Sequence, residues 1–242
     1  MIPIHRLKGL VNTFLKSRGY RCEKYIPRTS NHLTLFRLGS AMLEQAYTSL
    51  SFVQIGGYDG VSCDDPVFAG AARGGWTGAV LEPQPDAFES LKENYKQCAG
   101  VQCINAALHP TDGRAKMFVP INAKGARMGA LATLDRSVLE RGGVSSGRID
   151  EIEVEAITFR TLLTRTQIDR IDMLVIDTEG YDFEILKMVD FSLVRPALVR
   201  FEHIHLSSGD RSRAIALLSS HGYAVGRDEI DLVAFDSRTL DH

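Results

Sequence analysis

Charge of neither sign is in excess along this chain of 242 residues: 28 Lys and Arg face 30 Asp and Glu, for a formal net charge of -2. Proteins that wrap nucleic acid need a basic footprint to displace counterions, so nucleic acid is not expected as the main partner. Uninterrupted runs of about 18 apolar residues are missing, so no segment is expected to span a membrane. The opening stretch MIPIHRLKGLVNTFLKSRGY is basic but lacks a continuous apolar core and a small-residue cleavage site, so no secretory leader is expected. Cysteine is scarce. Cys22, Cys63, Cys98 and Cys103 include no Cys-x-x-Cys pair, which disfavours a zinc site or a disulfide framework. These absences describe a cytoplasmic protein with a small or neutral ligand, and 44% hydrophobic residues give it ample core material.

The length predicts one large domain or one and a half. Residues 1–50 read as a helical appendage, with Val11, Phe14 and Leu15 at helical spacing and Leu38, Met42, Leu43 and Ala46 repeating it further on. A polar connection at residues 27–32 separates the two. Arg6, Lys8, Lys16 and Arg18 form a basic face that is either solvated or laid on an acidic membrane surface. From residue 51 the pattern becomes regular. Short apolar runs at 51–55, 77–81, 101–104, 171–176 and 197–201 alternate with helical stretches at 85–98, 183–189 and 211–220. A hairpin at 223–225 and 230–235 follows. That alternation predicts an α/β fold over residues 51–242, doubly wound around a mostly parallel sheet. Residues 121–150, rich in Gly, Ala, Ser and Arg, interrupt it. They read as a lid-like insertion or as a plain surface excursion.

In open α/β sheets ligands bind beyond the carboxyl ends of the strands, so the strand ends are the informative positions. The first ends in Gly56-Gly57-Tyr58-Asp59-Gly60, a turn whose glycines let a ligand approach the backbone or simply let the chain turn. Its spacing is not the Gly-x-Gly-x-x-Gly of a dinucleotide cradle, which disfavours a nicotinamide-dependent oxidoreductase. The second ends in Glu82, an acid suited to accept ribose hydroxyls, and the third in Asn105-Ala106, able to face an adenine edge or to make an ordinary turn. The fourth and fifth end in Asp177-Thr178-Glu179-Gly180 and Glu202-His203-Ile204-His205. Charges that directly follow buried runs are costly unless paired, liganded or set at a cleft mouth. Asp177 and Thr178 also suit a helix cap, and Glu202 with His203 a surface pair.

Five segments now carry a resemblance: FVQIGGYDG (52–60), VLEPQPDAFESLKENY (80–95), INAAL (104–108), IDMLVIDTEGYDFEILK (171–187) and Phe201-Glu202. In order and spacing they resemble the FkbM family of S-adenosylmethionine-dependent methyltransferases. The resemblance implies a Rossmann-like class I methyltransferase fold with a seven-stranded sheet whose last strand is antiparallel. It implies O-methylation of a hydroxyl on a sugar, a polyketide or a related small molecule. By position, Gln54, Gly56, Tyr58, Asp59 and Gly60 would hold the methionine part of the cofactor, Glu82 its ribose, and Asn105 with Ala106 its adenine. Asp177 and Glu179 would lie beside the methyl-transfer centre. The chain departs from the pattern at Gln54, where such enzymes usually carry an acid, and at Gly129-Ala130-Leu131, where the family often shows Ser-Ser-Leu.

An alcohol is a poor nucleophile at neutral pH, so its proton must be removed or loosened. Two arrangements of the acidic rim achieve this: His203 or His205 takes the proton while Asp177 orients the acceptor, or Asp177 and Glu202 hold Mg²⁺. A non-catalytic cofactor-binding module or partner subunit is the other functional class. Neither the acceptor nor the oligomeric state has a signature in the sequence.

Overall fold

A computed structural model describes residues 34–62 and 65–240. The chain divides into two units, Met1–Thr34 and Leu35–His242. The helix expected around Val11 to Leu15, the basic face, and Cys22 and Cys63 lie outside the described residues. All that follows concerns the second unit.

Apolar runs become the central strands because both faces of a parallel sheet are covered. These are β1 (Leu50–Ile55), β2 (Trp76–Leu81), β3 (Val101–Ile104), β7 (Met173–Ile176) and β8 (Leu198–Glu202), all mutually parallel. A closing hairpin, β9 (Tyr223–Asp228) and β10 (Asp231–Asp236), completes a seven-stranded sheet in the order β3-β2-β1-β7-β8-β10-β9. Its last strand, β10, runs antiparallel to both neighbours. The architecture is α/β, doubly wound and Rossmann-like, with the seven-stranded sheet and antiparallel last strand that the resemblance implied. Strand order reverses between β1 and β7, which makes the crevice above them the expected ligand site.

Alternation along each strand divides the core in two. Val53, Ile55, Leu174, Ile176 and Phe201 face one layer with α5 (Phe159–Thr166), α6 (Asp182–Met188) and α7 (Ser208–Ser220). Phe52, Met173, Val175 and Leu198 face the other, with α1 (Leu35–Ala46), α2 (Phe68–Ala72) and α3 (Pro85–Tyr95). Tyr95, not Cys98, ends α3.

Two expectations need correction. The appendage expected over 1–50 does not extend that far, because α1 belongs to the main body. It buries Phe36, Leu38, Gly39 and Ser40 while Met42 is 41% exposed, so the buried face is rotated from the predicted one. A Cβ on Gly39 would stand 2.7 Å from the Phe235 ring, a closeness that fixes the helix on the sheet. The second correction concerns residues 107–157. They form a small sheet in the order β4-β6-β5, from β4 (Ala107–Leu108), β5 (Gly113–Pro120) and β6 (Ile149–Ile157). The insertion at 121–150 is the long connection of the β5–β6 hairpin. It is pinned at its base by Ile121 N–H to the Arg148 carbonyl (2.7 Å) and by a bridge between Phe118 and Thr133. Its short helix, expected near 134–140, is α4 (Arg136–Arg141), capped by Asp135 Oδ1 accepting from Ser137 N–H at 2.9 Å.

Candidate active site

The carboxyl ends of β1, β2 and β7 surround a cleft with about 920 Å³ of empty space, its open mouth included. Its backbone wall is the turn after β1. Gly56 has φ +83, and a Cβ there would stand 1.8 Å from the Asp177 carbonyl oxygen, so only glycine fits. Gly56 and Gly57 both donate their N–H to the Leu81 carbonyl (3.1 and 2.9 Å), which closes the turn over β2. Tyr58 (φ 46) and Glu179 (φ 53) line the same cleft in a left-handed conformation that side chains rarely adopt. Such strain, of order 1–3 kcal/mol each, persists where the surroundings over-determine the backbone.

Glu82 follows β2 and is 3% exposed. Its Oε2 accepts the Tyr58 N–H (2.8 Å), and its Oε1 accepts the Gln84 N–H (2.8 Å) and side-chain amide (3.2 Å). Burial pushes its proton affinity up, and the Gln84 and Tyr58 donors pull it back. A carboxylate has about four lone-pair sites, so one or more remain for hydroxyl donors from a ligand. Gln84 Nε2 also donates to the Gly129 carbonyl at 3.0 Å, which ties the β5–β6 connection to the cleft edge. Ala106, Leu108 and Met117 add an apolar wall.

The opposite rim is acidic. Asp177 follows β7, donates its N–H to the Ile55 carbonyl (2.9 Å) and lines the cleft with Thr178 and Glu179. Burial first, then the charges of Asp182 and Glu179, push its carboxyl up to about 7. Behind it Asp182, 0% exposed, binds Thr178 Oγ1 (3.1 Å), Gly180 N–H (3.1 Å) and Glu202 N–H (3.2 Å). One carboxylate thus locks the end of β7 to the end of β8. His205 Nε2 lies 3.1 Å from Glu179 Oε2 and 3.8 Å from Glu202 Oε2. The hydrogen bond to Glu179 raises the proton affinity of His205, with burial opposing it.

Of the residues singled out from the sequence, Gln54, Gly56, Tyr58, Glu82, Ala106, Asp177 and Glu179 line this cleft. Asp59, Gly60, Asn105, Glu202, His203 and His205 are not part of its lining. Asp59 is consumed locally, accepting from Val61 N–H, Ser62 N–H and Ser62 Oγ. Gly60 (φ +77) packs toward Leu91 and Tyr95. Asn105 braces the end of β2 by donating to the Glu82 and Pro83 carbonyls (2.8 and 3.1 Å). His203 is 2% exposed and neither ring nitrogen has a partner. The histidine brought to the rim is His205. Among the described residues, ligand atoms of Glu179, Glu202 and His205 converge within 4.8 Å of one another, a group that shares Glu202 with the expected pair Asp177 and Glu202. An imidazole with two carboxylates suits a borderline transition ion better than Mg²⁺, which prefers oxygen ligands in a near-ideal octahedron.

Sequence reasoning missed Asp65, Arg200 and Asp182. Asp65 and Arg200 line the cleft, and Asp182 builds its rim.

The cleft joins a glycine turn, a buried acid after β2 and an acidic rim at one switch point. The family model described as the Methyltransferase FkbM domain matches residues 54–225. The chain belongs to the FkbM methyltransferase family. Among solved structures it is similar to methyltransferase FkbM from Methylobacillus flagellatus KT, with 13% identity and a TM-score of 0.51 over 78% of this chain and 44% of that one. It therefore spans less than half the length of that relative. Precorrin-6y C5,15-methyltransferase from Geobacter metallireducens GS-15 matches with 11% identity and a TM-score of 0.45, over 88% of this chain and 95% of that one. Among curated proteins no sequence matches significantly. Family membership implies S-adenosylmethionine, and the cleft fits that group: bare backbone at Gly56, spare acceptor capacity at Glu82 and an apolar wall. Among the described residues no helix is long and apolar enough to cross a membrane.

Proposed function

We propose that this protein is an S-adenosylmethionine-dependent O-methyltransferase that acts on a hydroxyl of a small cytoplasmic metabolite, such as a sugar or polyketide alcohol. The observation that carries the reading is the acid rim: Asp177 and Glu179 open onto the cleft that holds Glu82 and Gly56, with His205 bonded to Glu179. Bound S-adenosylmethionine supplies an electrophilic methyl group on a sulfonium. The chain supplies alignment and a place for the proton. In this arrangement Asp177 holds the acceptor hydroxyl, and His205, kept in orientation by Glu179, takes its proton. Gly129 and Ala130 line the cleft, and in this reading they help to restrict water there.

A mass-spectrometric assay with S-adenosylmethionine and a panel of glycosidic and polyketide alcohols tests this reading. A product heavier by one methylene with an O-methyl signature supports it. Transfer to nitrogen or carbon only, or cofactor binding without transfer to any acceptor class, contradicts it. A second reading rests on Glu202 Oε2, buried without a hydrogen-bond partner beside His205 and Glu179. There the three side chains hold a divalent ion that polarises the hydroxyl, and turnover is lost in chelator and restored by metal. Full activity in chelator removes it.

A further inference from the structure

The cleft wall beneath the glycine turn carries a polar group with no partner. Gln54 sits at the penultimate position of β1, 2% exposed, in a row that is otherwise apolar toward that layer. Its Nε2 donates to Asp65 Oδ2 at 2.7 Å, which fixes the orientation of the amide. Its Oε1 is buried and has no hydrogen-bond partner. A buried carbonyl oxygen left unpaired forfeits its hydration without compensation, so a donor is expected there when the site is filled. Asp65 is itself held in place, its Oδ1 accepting the N–H groups of Val67 (3.0 Å) and Phe68 (2.8 Å). One lone pair of Oδ2 remains. Across the sheet, Gln54 registers with Val175 and Val175 with Arg200, so Arg200 lies on the same face, two strands away. Arg200 also lines the cleft, paired with Asp231 Oδ2 at 2.7 Å.

An anionic acceptor, a neutral acceptor without a partner and a cation therefore share one wall. That set complements a zwitterion. We propose that Asp65 and Gln54 Oε1 form the receptor for the ammonium group of the ligand's amino-acid end, with the carboxylate of that end on the Arg200 side. The proposal rests on the S-adenosylmethionine reading and adds a residue, Asp65, that lies outside the glycine turn. Gln54 alone has no charge to offer. Asp65 supplies it and sets the amide so that oxygen, not nitrogen, is left for the ligand.

The test compares two ligands that differ only in that end. S-adenosylhomocysteine carries the amino acid and 5′-methylthioadenosine does not, and calorimetry on the full chain reads both affinities. Asp65→Asn keeps the size and the capping ability of the side chain but removes its charge. It is expected to weaken S-adenosylhomocysteine about 10- to 100-fold and to change methylthioadenosine less than about twofold. The unchanged second affinity also shows that the variant is folded. The double variant Q54E/D65N moves the charge one side chain along and is expected to regain most of the loss. Equal losses for both ligands, no loss for either, or no rescue would overturn the proposal. If the unaltered chain binds neither ligand, the S-adenosylmethionine reading itself fails and the proposal with it. If it binds both equally well, only the ammonium receptor fails.

Discussion

Replacing Glu202 by glutamine should make the protein less sensitive to alkaline pH. Glu202 is 6% exposed, and burial followed by the charges of Glu179, Asp177 and Asp182 pushes its carboxyl up to about 9, from an ordinary 4.5. Asp177 and Asp182 are pushed up to about 7 and about 6. A carboxyl with a raised folded-state pKa holds a proton that the unfolded chain releases. Its penalty is absent below the ordinary pKa, grows as pH rises through the window from about 4.5 toward 9, and is constant above it. Each pH unit inside the window costs at most about 1.4 kcal/mol per group, so Glu202 alone removes about 2–3 kcal/mol between pH 5.5 and 7.5. A glutamine side chain at this position has nearly the volume of a protonated glutamic acid and no charge to bury. Urea unfolding at half-unit pH steps should show the native chain weakening across this range and Glu202→Gln weakening less, by about 1 kcal/mol per pH unit. The gap should widen upward in pH. Parallel curves for the two proteins would refute the argument, because they would mean that Glu202 ionises freely in the folded state.

Three further outcomes follow from the same geometry. Gly56→Ala should abolish cofactor binding in calorimetry and cost about 1–3 kcal/mol of stability, since φ +83 and a Cβ 1.8 Å from the Asp177 carbonyl are both prohibitive; normal binding would mean the turn is not the cradle. Leu174→Ala, at a fully buried position in β7, should lower unfolding free energy by about 2–5 kcal/mol. In the proposed mechanism kcat/KM should rise with pH through a midpoint above the ordinary 6.5 of histidine, because Glu179 raises His205 and the base must be neutral. His205→Gln should lose that limb and about 10²–10⁴-fold in rate; a retained limb would move the role to Asp177.

The strand ends were legible because the chain announces them: an apolar run that stops at an acid is a buried strand reaching a cleft. Val101–Ile104 matches the expected bounds, and β1 and β2 begin one residue earlier than expected. Glu82, Asp177 and Glu179 were found this way. What stayed hidden has local causes. Strands β5 and β6 carry charged outer faces, with Arg114–Glu153 and Lys116–Glu151 paired across them, so their apolar alternation is diluted. Asp65 comes from a loop and Arg200 interrupts the apolar run of a strand, so neither stands at the end of one. Only the register across β1, β7 and β8 brings Arg200 to the wall with Gln54. His203 and His205 are two residues apart past the end of β8, where pleat alternation no longer applies. The loop conformation alone decides that His205 meets Glu179 while His203 turns inward. For Asp59 the signal was present: Asp-x-x-Ser is the pattern of a side chain that satisfies its own turn.

The central claim is that the cleft above β1 and β7 binds S-adenosylmethionine through Glu82. Isothermal titration of the purified chain with S-adenosylmethionine, beside Glu82→Ala, tests it most directly. Saturable one-to-one binding is predicted, weakened by about 10-fold or more in Glu82→Ala, the loss of a charge-assisted hydrogen bond. No heat of binding at millimolar cofactor, or equal affinity in Glu82→Ala, would contradict it.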